Sequence, residues 1–155
     1  MRIPKYRAFI KSLKITVPVT AIHFGIKTVE IDMSDNGDWW EYDFGEVELM
    51  QWTGLVDRRG VEIWEGDVLK REFEIGNTIY DPNTLGVDGY EVTDSGYFVG
   101  AVRYRPSEGF VLGTVRKFND EGELIEKKSA VKIYPRYAEI IGNQFEHPEL
   151  LEVAE

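Results

Sequence analysis

Glu65 and Asp67 flank Gly66, and two carboxylates this close are the raw material of general acid–base chemistry. Such work needs one carboxyl of raised proton affinity in a cleft, and nothing in the surrounding residues supplies it. With 28 Asp and Glu among 155 residues, close pairs also arise by chance. The Gly66-Asp67 step reads better as a sharp corner, where glycine relieves the backbone and aspartate accepts amide hydrogen bonds. Other reactive types are sparse. His23 and His147 stand 124 positions apart, with no Glu-x-x-His or His-x-His spacing, so no metal site is expected. Asp81, Asn83, Asp88, Glu91 and Asp94 could surround a cation but lack the alternation of a calcium loop. Gly86, Gly89, Gly96 and Gly100 precede no Lys-Ser/Thr pair, so they form no phosphate cradle. Ser12, Ser34, Ser95, Ser107 and Ser129 occupy no nucleophile elbow, and cysteine is absent. The expectation is a protein without catalytic residues, cofactor or metal.

What remains is surface and shape. Trp39, Trp40, Tyr42, Phe44, Trp52 and Trp64 crowd into 26 residues. Alternation sends Trp40, Tyr42 and Phe44 inward together as core and leaves Trp39 on the opposite face, open to a partner. The net charge is −10, yet the first 29 residues carry six basic side chains and no acidic one. The remainder is therefore strongly acidic, which argues against general nucleic-acid binding. The basic opening, including Arg2, Lys5 and Arg7, either meets a partner or pairs with acidic residues of its own chain.

The elements that must carry these residues are strands. Ile15, Val17 and Val19 alternate with polar residues up to Pro18, whose missing amide hydrogen predicts an edge strand or a break. Val29 and Ile31 continue the pattern, and Asn36-Gly37 marks a tight hairpin. Asp57-Arg58-Arg59-Gly60 supplies another turn. Residues 72–96 are dense in Gly, Asn, Asp and Pro and predict a long loop with short strands at Ile79-Tyr80 and Tyr90-Val92 at most. Tyr97–Arg105 and Phe110–Phe118 read as a hairpin, Asn119–Gly122 as a turn, and the segment from Leu124 to Tyr134 as a returning strand. Tyr137–Asn143 reads as a closing strand, and Pro148-Glu149 as the start of a short C-terminal helix. The fold class is mainly β: a small SH3-like barrel or strongly bent antiparallel sheet, with extra N-terminal strands. Residues 1–46 would form an N-terminal β segment and 47–155 the barrel-like core, together one compact unit. No apolar run reaches the ~18–20 residues of a membrane span, and Arg7, Lys11 and Lys14 interrupt any signal-peptide core, so a cytoplasmic location is expected.

One signature is specific in order and spacing: Gln51-Trp52-Thr53-Gly54-Leu55, then Asp57, Gly60, Gly66 and Asp67. It resembles the central pattern of the YopX-like family of phage and prophage proteins. Lys5–Phe9 resembles that family's opening strand, and Glu139–Leu151 its ending. The resemblance implies a bacterial host, a mainly β fold and self-association, and it brings no catalytic residues. The functional expectation is a non-enzymatic accessory protein that works by protein–protein contact as a homo-oligomer, or with a phage or host protein, through its basic N-terminal strand and the 72–96 segment. Two rivals follow from the acidic body: a decoy that mimics nucleic acid, and a hydrolase with two carboxylates facing across a cleft.

Overall fold

Period-two alternation runs through most of the chain, and nearly every such run is a strand. The computed structural model describes residues 3–32 and 38–152, so the Asn36-Gly37 turn lies outside the described residues. Strands β1 (Tyr6–Ile10), β2 (Ile15–His23), β3 (Thr28–Asp32) and β4 (Trp39–Asp43) are followed by a 3-10 turn and then β5 (Val47–Val56) and β6 (Glu62–Trp64). These make one antiparallel sheet in the order β4-β3-β2-β1-β5-β6. The chain then builds a second antiparallel sheet from β7 (Asp67–Tyr80), β8 (Val87–Arg105), β9 (Gly109–Asn119), β10 (Leu124–Val131) and β11 (Ala138–Asn143), in the order β10-β9-β8-β7-β11. Two hydrophobic cores form, and the second also draws on Ile63 of β6 in the first sheet. Ala8, Ile10, Val29, Ile31 and Val47 are buried in the first. Ile63, Leu69, Phe98, Val102, Leu112, Val115, Ile133 and Ala138 are buried in the second.

Both sheets are open, each with two terminal strands, so of the two expected forms, a small SH3-like barrel or a strongly bent antiparallel sheet, the closed barrel is corrected to two antiparallel sheets. The N-terminal sheet also takes in β5 and β6, beyond the expected boundary at residue 46. Pro18 lies inside β2, where pairing passes from β1 on one flank to β3 on the other with a bulge between Val19 and Ala21. The C-terminal helix is a single 3-10 turn, Pro148–Leu151. Four residues cannot repay helix nucleation. The carbonyls of Leu150 and Glu152 instead accept hydrogen bonds from the Arg116 guanidinium.

Residues 72–96, expected as a long loop with short strands at most, are instead parts of two long strands joined by a turn at 81–86. Strands β7 and β8 stay paired from Val68↔Ala101 out to Tyr80↔Val87. Beyond Arg71, however, β11 no longer pairs with β7, and beyond Gly96 β9 no longer pairs with β8. The outer part is therefore a two-stranded ribbon extending past the sheet. Among the described residues no helix is long and apolar enough to cross a membrane.

Candidate interaction site

The signature residues fasten the two sheets together. Gly66, at φ +87°, carries the chain from β6 in the first sheet to β7 in the second. That backbone conformation suits glycine, and a side chain there would also meet Met50 Sδ at 2.8 Å. Asp67 follows, with Oδ2 accepting the Trp64 amide at 2.7 Å and Oδ1 accepting Arg7 Nη2 at 2.5 Å. Both partners of this ion pair are largely withdrawn from water. Burial pushes the Asp67 carboxyl up, beyond what the Arg7 charge and the Trp64 amide pull back.

Asp57 does the same work on the turn before β6. Its Oδ1 accepts the amides of Arg59 and Val61 at 2.9 and 3.0 Å, and Oδ2 accepts the Ile140 amide of β11 at 3.1 Å. Burial raises its proton affinity, but these three amides and the Arg59 charge outweigh burial and hold the carboxyl below its ordinary range. Gly60, at φ +80°, completes the turn. Thr53 donates to the Ile63 carbonyl at 2.7 Å, Gly54 (φ +84°) forms the irregular step between Trp52 and Val56, and Leu55 packs against the second core. Gln51 accepts the Glu65 amide through its carbonyl at 2.8 Å. Arg7–Asp67, Asp57–Ile140 and the Leu55 packing join the two sheets, while the Thr53 and Gln51 bonds close the β5–β6 hairpin.

The basic residues expected at a partner surface or in pairs with acidic residues of their own chain make pairs of the second kind, Arg7 part-buried and Lys5 exposed. Arg7 is committed to Asp67 and lies 5.3 Å from the Trp64 ring. Lys5 pairs with Glu62 at 2.5 Å and sits 4.2 Å above the Trp52 ring. Arg2 lies outside the described residues. Trp39 is exposed on β4, on the face opposite Tyr42. Trp40 does not join the core as expected. It is 56% exposed, on the last strand of its sheet, although its cross-strand partner Ile31 is fully buried. Tyr42 and Phe44 do pack against the first core.

A cleft of about 330 Å³ opens where the sheets meet, lined in part by Glu48, Met50, Glu65, Arg103, Tyr104 and Phe145. It holds two carboxylates. Glu48, however, is nearly half exposed and paired with Lys11 at 3.4 Å, the reverse of the sheltered carboxyl a general acid requires.

The ribbon offers more. Ile75, Ile79, Tyr80, Leu85, Val87, Tyr90 and Val92 are 43–76% exposed. Cross-strand partners share a face, so the register sets Val92 beside Gly76, Tyr90 beside Thr78 and Val87 beside Tyr80 on one side. Ile75 and Ile79 lie on the other side, with Asn77 and Glu91. The Tyr90 ring covers Gly76, whose added Cβ would meet it at 2.7 Å. At the tip, Asp81 Oδ1 accepts the Asn83 amide at 2.7 Å, and Leu85 is held at φ +60°. A leucine in the left-handed region costs about 1–2 kcal/mol, and here it projects an apolar side chain into solvent. Residues 72–96 contain six acidic residues and no basic one.

A protein of two stapled antiparallel sheets with an apolar, acidic arm is the class that fold and site define. The comparisons make it particular. A family model described as YopX protein matches residues 5–152, and the chain belongs to this family. The crystal structure of protein EF1440 from Enterococcus faecalis has a similar fold, with a TM-score of 0.51 and 23% identity over 98% of this chain and 100% of that one. No curated protein matches the chain in sequence.

Proposed function

We propose that this YopX-family chain is a non-enzymatic phage or prophage accessory protein that acts by protein–protein contact as a homo-oligomer, with a second copy seated on the β7–β8 ribbon. The observation that carries this reading is the ribbon itself. Two strands alone are marginally stable in water, and this pair holds seven exposed apolar or aromatic side chains in place.

Two arguments favour a second copy as the occupant. The first is charge. The turns joining β1 to β2 and β2 to β3 expose Leu13, Ile15, Phe24 and Ile26 beside Lys14 and Lys27. Neither lysine has an ion-pair partner among the described residues, and both complement the acidic ribbon. The second is magnitude. Full burial of a large apolar side chain contributes about 1.5–3 kcal/mol, so seven half-exposed ones offer roughly 5–10 kcal/mol. Association costs about 4–15 kcal/mol. A two-fold contact uses the ribbon twice, offering roughly 10–20 kcal/mol, and so covers more of that cost than a contact that uses it once.

Sedimentation velocity at micromolar concentration tests this. The wild type should sediment as an oligomer, and Tyr90→Ser/Val92→Ser should sediment as a monomer with unchanged circular dichroism. Lys14→Glu/Lys27→Glu should also be monomeric, and mixing it with Asp88→Lys/Glu91→Lys should restore assembly. A monomeric wild type overturns the proposal.

A further inference from the structure

We propose that His23, Glu30 and Glu41 form a site for a divalent transition metal of the zinc type on the outer face of the N-terminal sheet. One ligand atom from each of the three side chains lies within 4.8 Å of the other two. They come from three successive strands. Glu30 of β3 has Ala21 of β2 on one side and Glu41 of β4 on the other, and His23 stands two residues beyond Ala21 on the same face. Val29 and Ile31, on either side of Glu30 in sequence, are fully buried, which points the trio outward. Hydrogen-bonded neighbouring strands fix these three backbones, so the ligands do not depend on a loop for their placement.

The arrangement is costly without a cation. Like charges directly opposite on adjacent strands are destabilising, and Glu30 and Glu41 are such a pair. No lysine or arginine bridges either one among the described residues. Among the described residues the sole compensating side-chain contact is His23 Nε2 to Glu30 Oε1, at 2.8 Å. A metal ion would bind Nε2 in place of that contact, with the neutral imidazole keeping its one proton on Nδ1, and would draw in the Glu41 carboxylate. Ligand bonds of about 2.0–2.2 Å put tetrahedral ligand atoms roughly 3.3–3.6 Å apart. Rotation of the exposed Glu41 side chain closes the remaining gap.

The imidazole sets the class of ion. One nitrogen with two carboxylates suits zinc and its neighbours, whereas magnesium and calcium prefer oxygen alone. Three protein ligands leave a fourth position for water or an incoming donor.

Calorimetric titration of Zn²⁺ into the full chain, after chelator treatment, decides the matter. The expected result is one equivalent per chain, with Ca²⁺ giving no comparable binding. His23→Ala should weaken Zn²⁺ binding by about tenfold or more, and so should the nearly isosteric Glu41→Gln, which keeps the side-chain shape should the alanine variant fold poorly. Glu121→Gln, in the β9–β10 turn, should bind like the wild type. Zn²⁺ should raise the melting temperature of the wild type and not that of Glu41→Gln. Absence of Zn²⁺ binding overturns the site, as would Ca²⁺ binding of equal strength or Glu41→Gln binding unchanged. The readout is independent of oligomeric state.

Discussion

Between Asp67 and Arg71, strand β7 has β8 on one flank and β11 on the other; between Glu74 and Tyr80 it has β8 alone. Strand β8 divides in the same way, flanked by β9 only from Gly96 onward. Pairing is continuous across the boundary, so hydrogen bonding does not separate the two regions. Cover does. At the base Val68, Leu69 and Val102 are fully buried, while Ile79, Tyr90 and Val92 at the outer end stand in water. Backbone pairing can thus be maintained where side-chain burial is not, and an outer end kept apolar under those conditions is suited to a contact that the single chain leaves unmade.

The sharpest way to break this comparison is to remove equivalent bulk from each region. Leu69→Ala should cost about 2–5 kcal/mol in urea unfolding, because a fully buried leucine leaves a cavity. Ile79→Ala, measured on dilute monomeric protein, should stay within about 0.5 kcal/mol, as for other exposed sites. Similar losses at both positions would mean that the ribbon is packed within its own chain, and the contrast would collapse.

A smaller effect tests what covers the base. Asp57 ties β11, the strand that flanks β7 at the base, to the turn before β6 through the Ile140 amide. Asp57→Asn replaces a carboxylate that accepts three amides and should cost about 1–3 kcal/mol. The pH dependence gives the sign. The folded-state proton affinity of Asp57 lies below the ordinary value of 3.8, so its contribution is present above that value and is lost as pH falls through the folded-state one. Asp67 is shifted upward, so its contribution runs the other way and is lost as pH rises through its folded-state value. The wild type should therefore lose more stability than Asp57→Asn as the solution is acidified from about pH 5. A wild-type curve parallel to that of the variant would show that these amides do not stabilise the charged carboxylate.

The parts of this contrast differ in how far the sequence reveals them. Strand β9, the Asn119–Gly122 turn and the final strand follow from alternation and turn chemistry, and the Gly66-Asp67 corner follows from residue type. The ribbon hides because Gly76, Asp81-Pro82, Gly86 and Gly89 carry the composition of a loop. Two of these glycines sit beside register shifts, after Ile75 and after Ile79, where strands tolerate them. The β-forming residues Tyr80, Val87, Tyr90 and Val92 were the available signal. The sequence leaves Arg7 open between a partner contact and an ion pair within the chain, because the carboxylate that takes it, Asp67, lies 60 positions away. The His23–Glu30–Glu41 trio has no local spacing to find, since it exists only once three strands are in register.

The smallest expected effect concerns how independent the two regions are. Gly76 packs under Tyr90, and a Cβ there would meet the Glu91 carbonyl at 2.3 Å, so Gly76→Ala must separate the ribbon strands locally. If the ribbon opens as its own unit, global stability hardly changes, because the folded base neither gains nor loses cover. Amide exchange in dilute protein should then speed up for Asn77–Tyr80 and Val87–Val92 and stay slow for Val68–Arg71. Faster exchange across both stretches would join the ribbon to the base as one cooperative unit, and the exposed side chains would then need an explanation within the single chain.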